Sequence, residues 1–63
     1  MFHVIGITRD SVVRQLCQRS TLAGALKNVP SSARKYEQLF LVSTKYDIQE
    51  LQYVPLLRGC VVL

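Results

Sequence analysis

The sequence predicts a small α+β fold, a single domain over residues 1–63 in the order strand, three helices, two strands. Three patterns carry this prediction. Residues 20–37 have the apolar spacing of two short helices joined by a tight turn, as in a helix-turn-helix. The segment Phe2–Ile7, rich in β-branched and aromatic residues, precedes them, and an apolar run from Leu39 to Thr44 follows. Runs of both kinds are typical of strands.

Phe2–Ile7 is the first predicted strand, and polar residues end it. The spacing then becomes helical, because four apolar side chains gather on one face of a helix that Asp10 can cap: Val12, Val13, Leu16 and Cys17. The same segment, residues 12–18, becomes a strand if Asp10 and Ser11 form a hairpin turn. The sequence leaves helix and strand open here.

Two further helices are predicted in residues 20–37. The first of them begins at Ser20 or Thr21 and ends near Asn28, because Pro30 pushes the residue before it out of the α region. Pro30 suits the first position of the next helix, where its missing N–H costs nothing. The inward side chains are Leu22, Ala23 and Leu26 on one helix, and Ala33 and Tyr36 on the other.

Two strands are predicted after the helices. The run from Leu39 to Thr44 is the first of them, and residues 45–47 are predicted to turn. Residues 48–54 alternate in part as a strand does, so we expect them to pair back on that run, with Pro55 at the edge or the end.

The size of the chain predicts an oligomer. A domain of 63 residues buries only about 60% of the surface that its unfolded chain exposes. Cys17 and Cys60 are too few for a disulfide framework, and with one histidine they cannot complete a four-ligand metal site. We therefore expect a homodimer, formed through the run from Leu39 to Thr44 and the apolar C-terminal tail.

The charge predicts an acidic partner. Eight Lys and Arg against four Asp and Glu give a net charge of +4, which favours nucleic acid. No catalytic set and no phosphate-binding glycine loop is visible, so we expect neither an enzyme nor a cofactor. No apolar run is long enough for a bilayer, and the first residues lack the basic region of a secretory signal, which predicts a cytoplasmic protein with no membrane partner.

The predicted order of elements resembles the lambda Cro-type phage repressors. The residues that carry the resemblance are Leu22-Ala23-Gly24-Ala25-Leu26 and Pro30-Ser31-Ser32-Ala33-Arg34-Lys35-Tyr36. The chain departs from the family at Lys27, where the family's turn usually holds a glycine. The resemblance implies a sequence-specific transcriptional regulator that binds duplex DNA as a homodimer, in a bacterial host if a phage encodes it.

The same resemblance implies which side chains contact DNA. The third helix would enter the major groove and present four side chains to base edges: Ser31, Arg34, Lys35 and Gln38. The start of the second helix would hold phosphates with another four: Gln18, Arg19, Ser20 and Thr21. Arg34 is the strongest single candidate, because Arg to guanine is the commonest specific contact.

A β-β-α-β outline is the alternative fold, if residues 12–18 form a strand. It is similar to small phage proteins that bind and inhibit a host enzyme such as RNA polymerase. The basic residues would then mark a surface for an acidic host protein. The last four residues, Cys60-Val61-Val62-Leu63, match a geranylgeranylation signal, and part of a dimer interface is the interpretation that we favour.

Overall fold

The computed structural model describes all 63 residues as one antiparallel sheet with two short helices. The strands are β1 (Phe2–Ile7), β2 (Val13–Arg19), β3 (Gln38–Thr44), β4 (Asp47–Val54) and β5 (Gly59–Val62). Between β2 and β3 lie α1 (Leu22–Lys27) and a 3-10 helix (Ser31–Lys35). The strand order across the sheet is β2-β1-β3-β4-β5, so β1 and β3 are central and β2 and β5 form the two edges.

One face of the sheet packs against the two helices, and we call it the helix side. Val4 and Gly6 point to this side from β1, and the ring of Tyr36 covers Gly6 so closely that a Cβ there would lie 2.6 Å from Tyr36 Cγ. Cys17 donates a hydrogen bond from Sγ to the Ala25 carbonyl at 3.2 Å. The buried core consists of Val4, Cys17, Ala25, Val29, Ala33, Leu39, Leu41, Leu51 and Cys60.

The sheet curves around α1. This helix contacts β1 and both edge strands, β2 and β5, which are four positions apart in the sheet. At the β5 edge the approach is between backbones, because a Cβ on Gly59 would lie 2.6 Å from the Leu26 carbonyl oxygen. Glycine at this position therefore lets the last strand close against the helix.

The opposite face of the sheet carries no helix, and we call it the open face. Its apolar side chains pair across neighbouring strands, Ile5 beside Phe40, and Val42 beside Ile48. The titratable groups that the register places among them are His3 and Glu50. An apolar surface with few charges is thus left uncovered.

The predicted strand, three helices, two strands order is wrong. Residues 12–18 lie mostly in β2, which pairs with β1 along its length and makes β1 a central strand. The second predicted helix is only the six residues of α1, since Asn28 ends it by donating both its backbone N–H and its side-chain amide to the Gly24 carbonyl, at 3.1 and 2.7 Å. The alternative β-β-α-β outline is incomplete, because it lacks the last two strands, β4 and β5.

The third predicted helix is a 3-10 helix of five residues. It ends at Tyr36, whose backbone is extended (φ −85°, ψ 142°). Because the chain is extended at Tyr36 and does not continue the helix, the Tyr36 ring packs on Gly6. Without a second α-helix there is no helix-turn-helix, and neither helix has the length and apolarity to cross a bilayer.

Candidate nucleic-acid interface

Basic and acidic residues are segregated along the chain. From Ser11 to Tyr36 the sequence holds five basic residues and no acidic one, and after Glu50 the only charged side chain is Arg58. These cations occupy β2, both helices and the turn between β4 and β5. We call them the basic surface: Arg14, Arg19, Lys27, Arg34, Lys35 and Arg58.

The sheet register and the helices direct the basic surface to the helix side. Arg14 lies opposite Gly6, which Tyr36 covers, and Arg19 lies opposite Phe2, which packs against the core. Lys27 is the last residue of α1, and the remaining cations follow in the 3-10 helix and the β4–β5 turn. Six positive charges thus share one side of a protein whose longest dimension is 28 Å.

No carboxylate forms an ion pair with the basic surface, although Glu37 and Glu50 line a second cleft together with Arg34. The one ion pair of the structure joins Arg9 Nε to Glu37 Oε1 at 3.1 Å, at the end of the sheet near the β1–β2 turn. Asp47 accepts a hydrogen bond from Ser43 at 2.6 Å in the β3–β4 hairpin, and Glu50 lies on the open face. None of the six cations of the basic surface is therefore held in an ion pair.

Two of these cations line a shallow cleft of about 430 Å³. Arg34 enters it from the 3-10 helix and Arg58 from the β4–β5 turn. The other lining residues are Val29, Ser31, Tyr53 and Pro55. The cleft therefore combines two guanidinium groups and two hydroxyl-bearing residues with an apolar wall, and it includes no acidic residue.

Arg58 has a backbone conformation that favours glycine. Its φ is 52°, in the left-handed region, where a Cβ is disfavoured. The turn is closed by the Leu57 N–H, which donates to the Val54 carbonyl, and by the Arg58 N–H, which donates to the Pro55 carbonyl, both at 3.1 Å. Ser11 in the β1–β2 turn has the same kind of conformation, with φ 65°.

The structure gathers only some of the predicted base-contacting residues. Ser31, Arg34 and Lys35 lie together in the 3-10 helix. Gln38 is the first residue of β3, and its register opposite Ile7 places it on the open face, although it lines a small cleft together with Arg34. The four residues therefore do not share the face of a recognition helix.

The predicted phosphate-contacting residues are divided in the same way. Arg19 belongs to the basic surface, whereas Gln18 lies opposite His3 on the open face. Thr21 caps α1, since its Oγ1 accepts a hydrogen bond from the Gly24 N–H at 3.0 Å. Ser20 is an exposed connecting residue.

Four polar members of the candidate site were not among the predicted contacts: Arg14, Lys27, Tyr53 and Arg58. The stretch without acidic residues was a usable signal for Arg14 and Lys27. Nothing local marks Tyr53 or Arg58, because their place beside Arg34 depends on how β4 and β5 pair.

The two segments predicted to form a dimer have different surroundings. The run from Leu39 to Thr44 lies in the central strand β3, whose two edges already pair with β1 and β4, so only its open-face side chains, such as Phe40, can meet a partner. The C-terminal tail forms β5, where Cys60 is buried. Burial raises the pKa of the Cys60 thiol to about 11, and the neighbouring Cys17 contributes to the rise.

The chain matches no protein-family model, no curated protein and no solved structure.

Proposed function

We propose that the protein binds the phosphate backbone of nucleic acid through the basic surface. The observation that carries this proposal is the concentration of charge on the helix side, where six cations lie and none of them forms an ion pair. A surface with one sign of charge attracts a polyanion at long range, and the counterions released on contact favour binding. The 28 Å width of the protein matches roughly 8 base pairs of B-DNA at about 3.4 Å per step.

The absence of a helix-turn-helix changes the expected mode of binding. Reading the major groove requires an element that enters it, and α1 and the 3-10 helix have only six and five residues. Contacts to phosphates give affinity and carry no direct sequence information. We therefore propose backbone-directed binding, with much less base discrimination than a helix-turn-helix repressor provides.

A second copy of the chain is the partner we propose for the open face. All six cations of the basic surface lie on the other side of the sheet, so two open faces can meet without bringing these charges together. The two longest dimensions, 28 and 28 Å, limit the footprint of the face to about 780 Å². Stable interfaces bury about 800 Å² per partner, so such a dimer would need the whole face. Such a dimer carries a basic surface on each of its two outer sides.

Fluorescence anisotropy with a labelled duplex of 20 base pairs tests nucleic-acid binding. The informative pair of variants is Lys35→Gln and Lys45→Gln. Both remove one exposed lysine charge, but Lys35 belongs to the basic surface and Lys45 lies in the β3–β4 turn. We expect the first variant to weaken binding several-fold and the second to leave it nearly unchanged. Equal losses, or no binding by the wild type at low salt, would contradict the proposal.

An acidic host protein is the competing partner, and the same measurement separates the two. If the basic surface binds an acidic protein instead, we expect no binding to duplex DNA at micromolar concentration and low salt. Failure to bind DNA, together with saturable binding to an acidic polypeptide such as polyglutamate, would favour that alternative.

A further inference from the structure

We propose that the cleft between Arg34 and Arg58 is a binding site for a single phosphate group. The proposed function supplies one source of that group, the nucleic-acid backbone, and free phosphate is the other. The site itself depends only on the residues of the cleft. It would be the point at which the basic surface holds one phosphate in a fixed position.

The side chains of the cleft have the chemistry that a phosphate requires. Each guanidinium is planar and can donate two parallel hydrogen bonds to a phosphate, which a lysine cannot do. Ser31 and Tyr53, which also line the cleft, each carry a hydroxyl group. Two guanidinium groups and two hydroxyls offer many hydrogen-bond donors. They suit a phosphate better than a carboxylate, because a carboxylate has only two acceptor oxygens.

The electrostatic environment leaves the two arginines without an internal partner. Neither forms an ion pair, and the residues that line the cleft include no carboxylate. Lys35 lies beside Arg34 in the 3-10 helix and adds a further positive charge nearby. Bringing like charges together is unfavourable in the free protein, and a bound phosphate anion would relieve that repulsion.

The β4–β5 turn brings Arg58 to the cleft. Its left-handed φ of 52° destabilises the turn relative to glycine, and Arg58 lines the cleft in this conformation. The apolar residues beside it, Val29 and Pro55, form a wall that can lie against the sugar of a nucleotide. A phosphodiester or nucleoside phosphate would thus use both parts of the cleft.

Substitution of Arg58 by glycine separates an effect on phosphate binding from an effect on the stability of the fold. Arg58→Gly removes one guanidinium and also relieves the backbone strain, so we expect a protein that is at least as stable as the wild type and binds phosphate about tenfold or more weakly. Ser11→Gly is the matched control, because Ser11 has the other left-handed φ, 65°, in the β1–β2 turn away from the cleft. This control should be stabilised without any change in phosphate binding.

Two-dimensional NMR of the full chain measures the binding, with inorganic phosphate and a dinucleotide phosphodiester as separate probes. We expect both to shift the signals of Ser31 and of the Arg34 and Arg58 side chains, and to leave Lys45 unaffected. Equal shifts at all basic residues, or full phosphate affinity in Arg58→Gly, would overturn the proposed site. A wild type that binds inorganic phosphate in the cleft but not duplex DNA would keep this site and refute the proposed function.

Discussion

Replacement of Gly59 by alanine tests the close approach of β5 to α1. The added Cβ would lie 2.6 Å from the Leu26 carbonyl oxygen and 3.4 Å from Lys27 Cα. Both are backbone atoms, so a side-chain rotation cannot relieve the clash, and β5 or α1 has to move. Overpacking of this kind destabilises by about 1–3 kcal/mol.

That loss is large for this chain. At about 0.05–0.15 kcal/mol per residue, a 63-residue protein has a free energy of unfolding of roughly 3–9 kcal/mol. At the midpoints of the two ranges, about 2 of 6 kcal/mol, Gly59→Ala removes roughly a third of the stability. We expect Tm to fall by about 4–8 °C for each kcal/mol lost.

Urea denaturation followed by circular dichroism measures the effect. The control variant is Gln52→Ala, which shortens an exposed side chain of β4 opposite Val61 of the same hairpin. We expect this control to lie within about 0.5 kcal/mol of the wild type. A Gly59→Ala protein as stable as the control would show that β5 does not pack against α1 as described.

Two further predictions concern the open face and the buried thiol. Phe40→Asp places a charge in the centre of the open face, and sedimentation velocity should show the dimer replaced by monomer; an unchanged mass would exclude a second copy on that face. The raised pKa of Cys60 favours the protonated thiol in the folded state, so its contribution to stability is complete below pH 9.0 and is lost as the pH rises towards 11. Urea denaturation at several alkaline pH values should show this loss in the wild type, with a smaller loss in Cys60→Ala; identical pH profiles would contradict it.

Several strands could be predicted from composition alone. β1 has the bounds predicted for it, and the predicted runs overlap most of β3 and β4, because β-branched and aromatic residues are concentrated there. Each of these segments pairs with a neighbour along most of its length. Local composition and the final packing therefore favour the same conformation.

The misassignment of β2 has a specific cause. The register shifts between Val4 and Ile5 of β1, so Leu16 is an extra residue in β2 between the partners Gln15 and Cys17. A bulge of this kind interrupts the period of two that identifies a strand. The resulting spacing of apolar residues imitates a helical face, and only pairing with β1 distinguishes the two.

The candidate site was only partly predictable for a related reason. Residues close in sequence, Ser31, Arg34 and Lys35, do lie together. The face on which Gln18 and Gln38 lie depends on strand register, and the meeting of Arg58 with Arg34 depends on the pairing of β4 with β5. Neither can be deduced from the local apolar pattern.

The salt dependence of duplex binding tests the central claim most directly. If several cations of the basic surface contact phosphates, the logarithm of the association constant falls linearly with the logarithm of the salt concentration, by about 0.9 for each phosphate contacted. We predict a slope of about −3 to −5 for a duplex of 20 base pairs, with little dependence on its sequence. A slope near zero, or no binding at low salt, would contradict nucleic-acid binding through this surface.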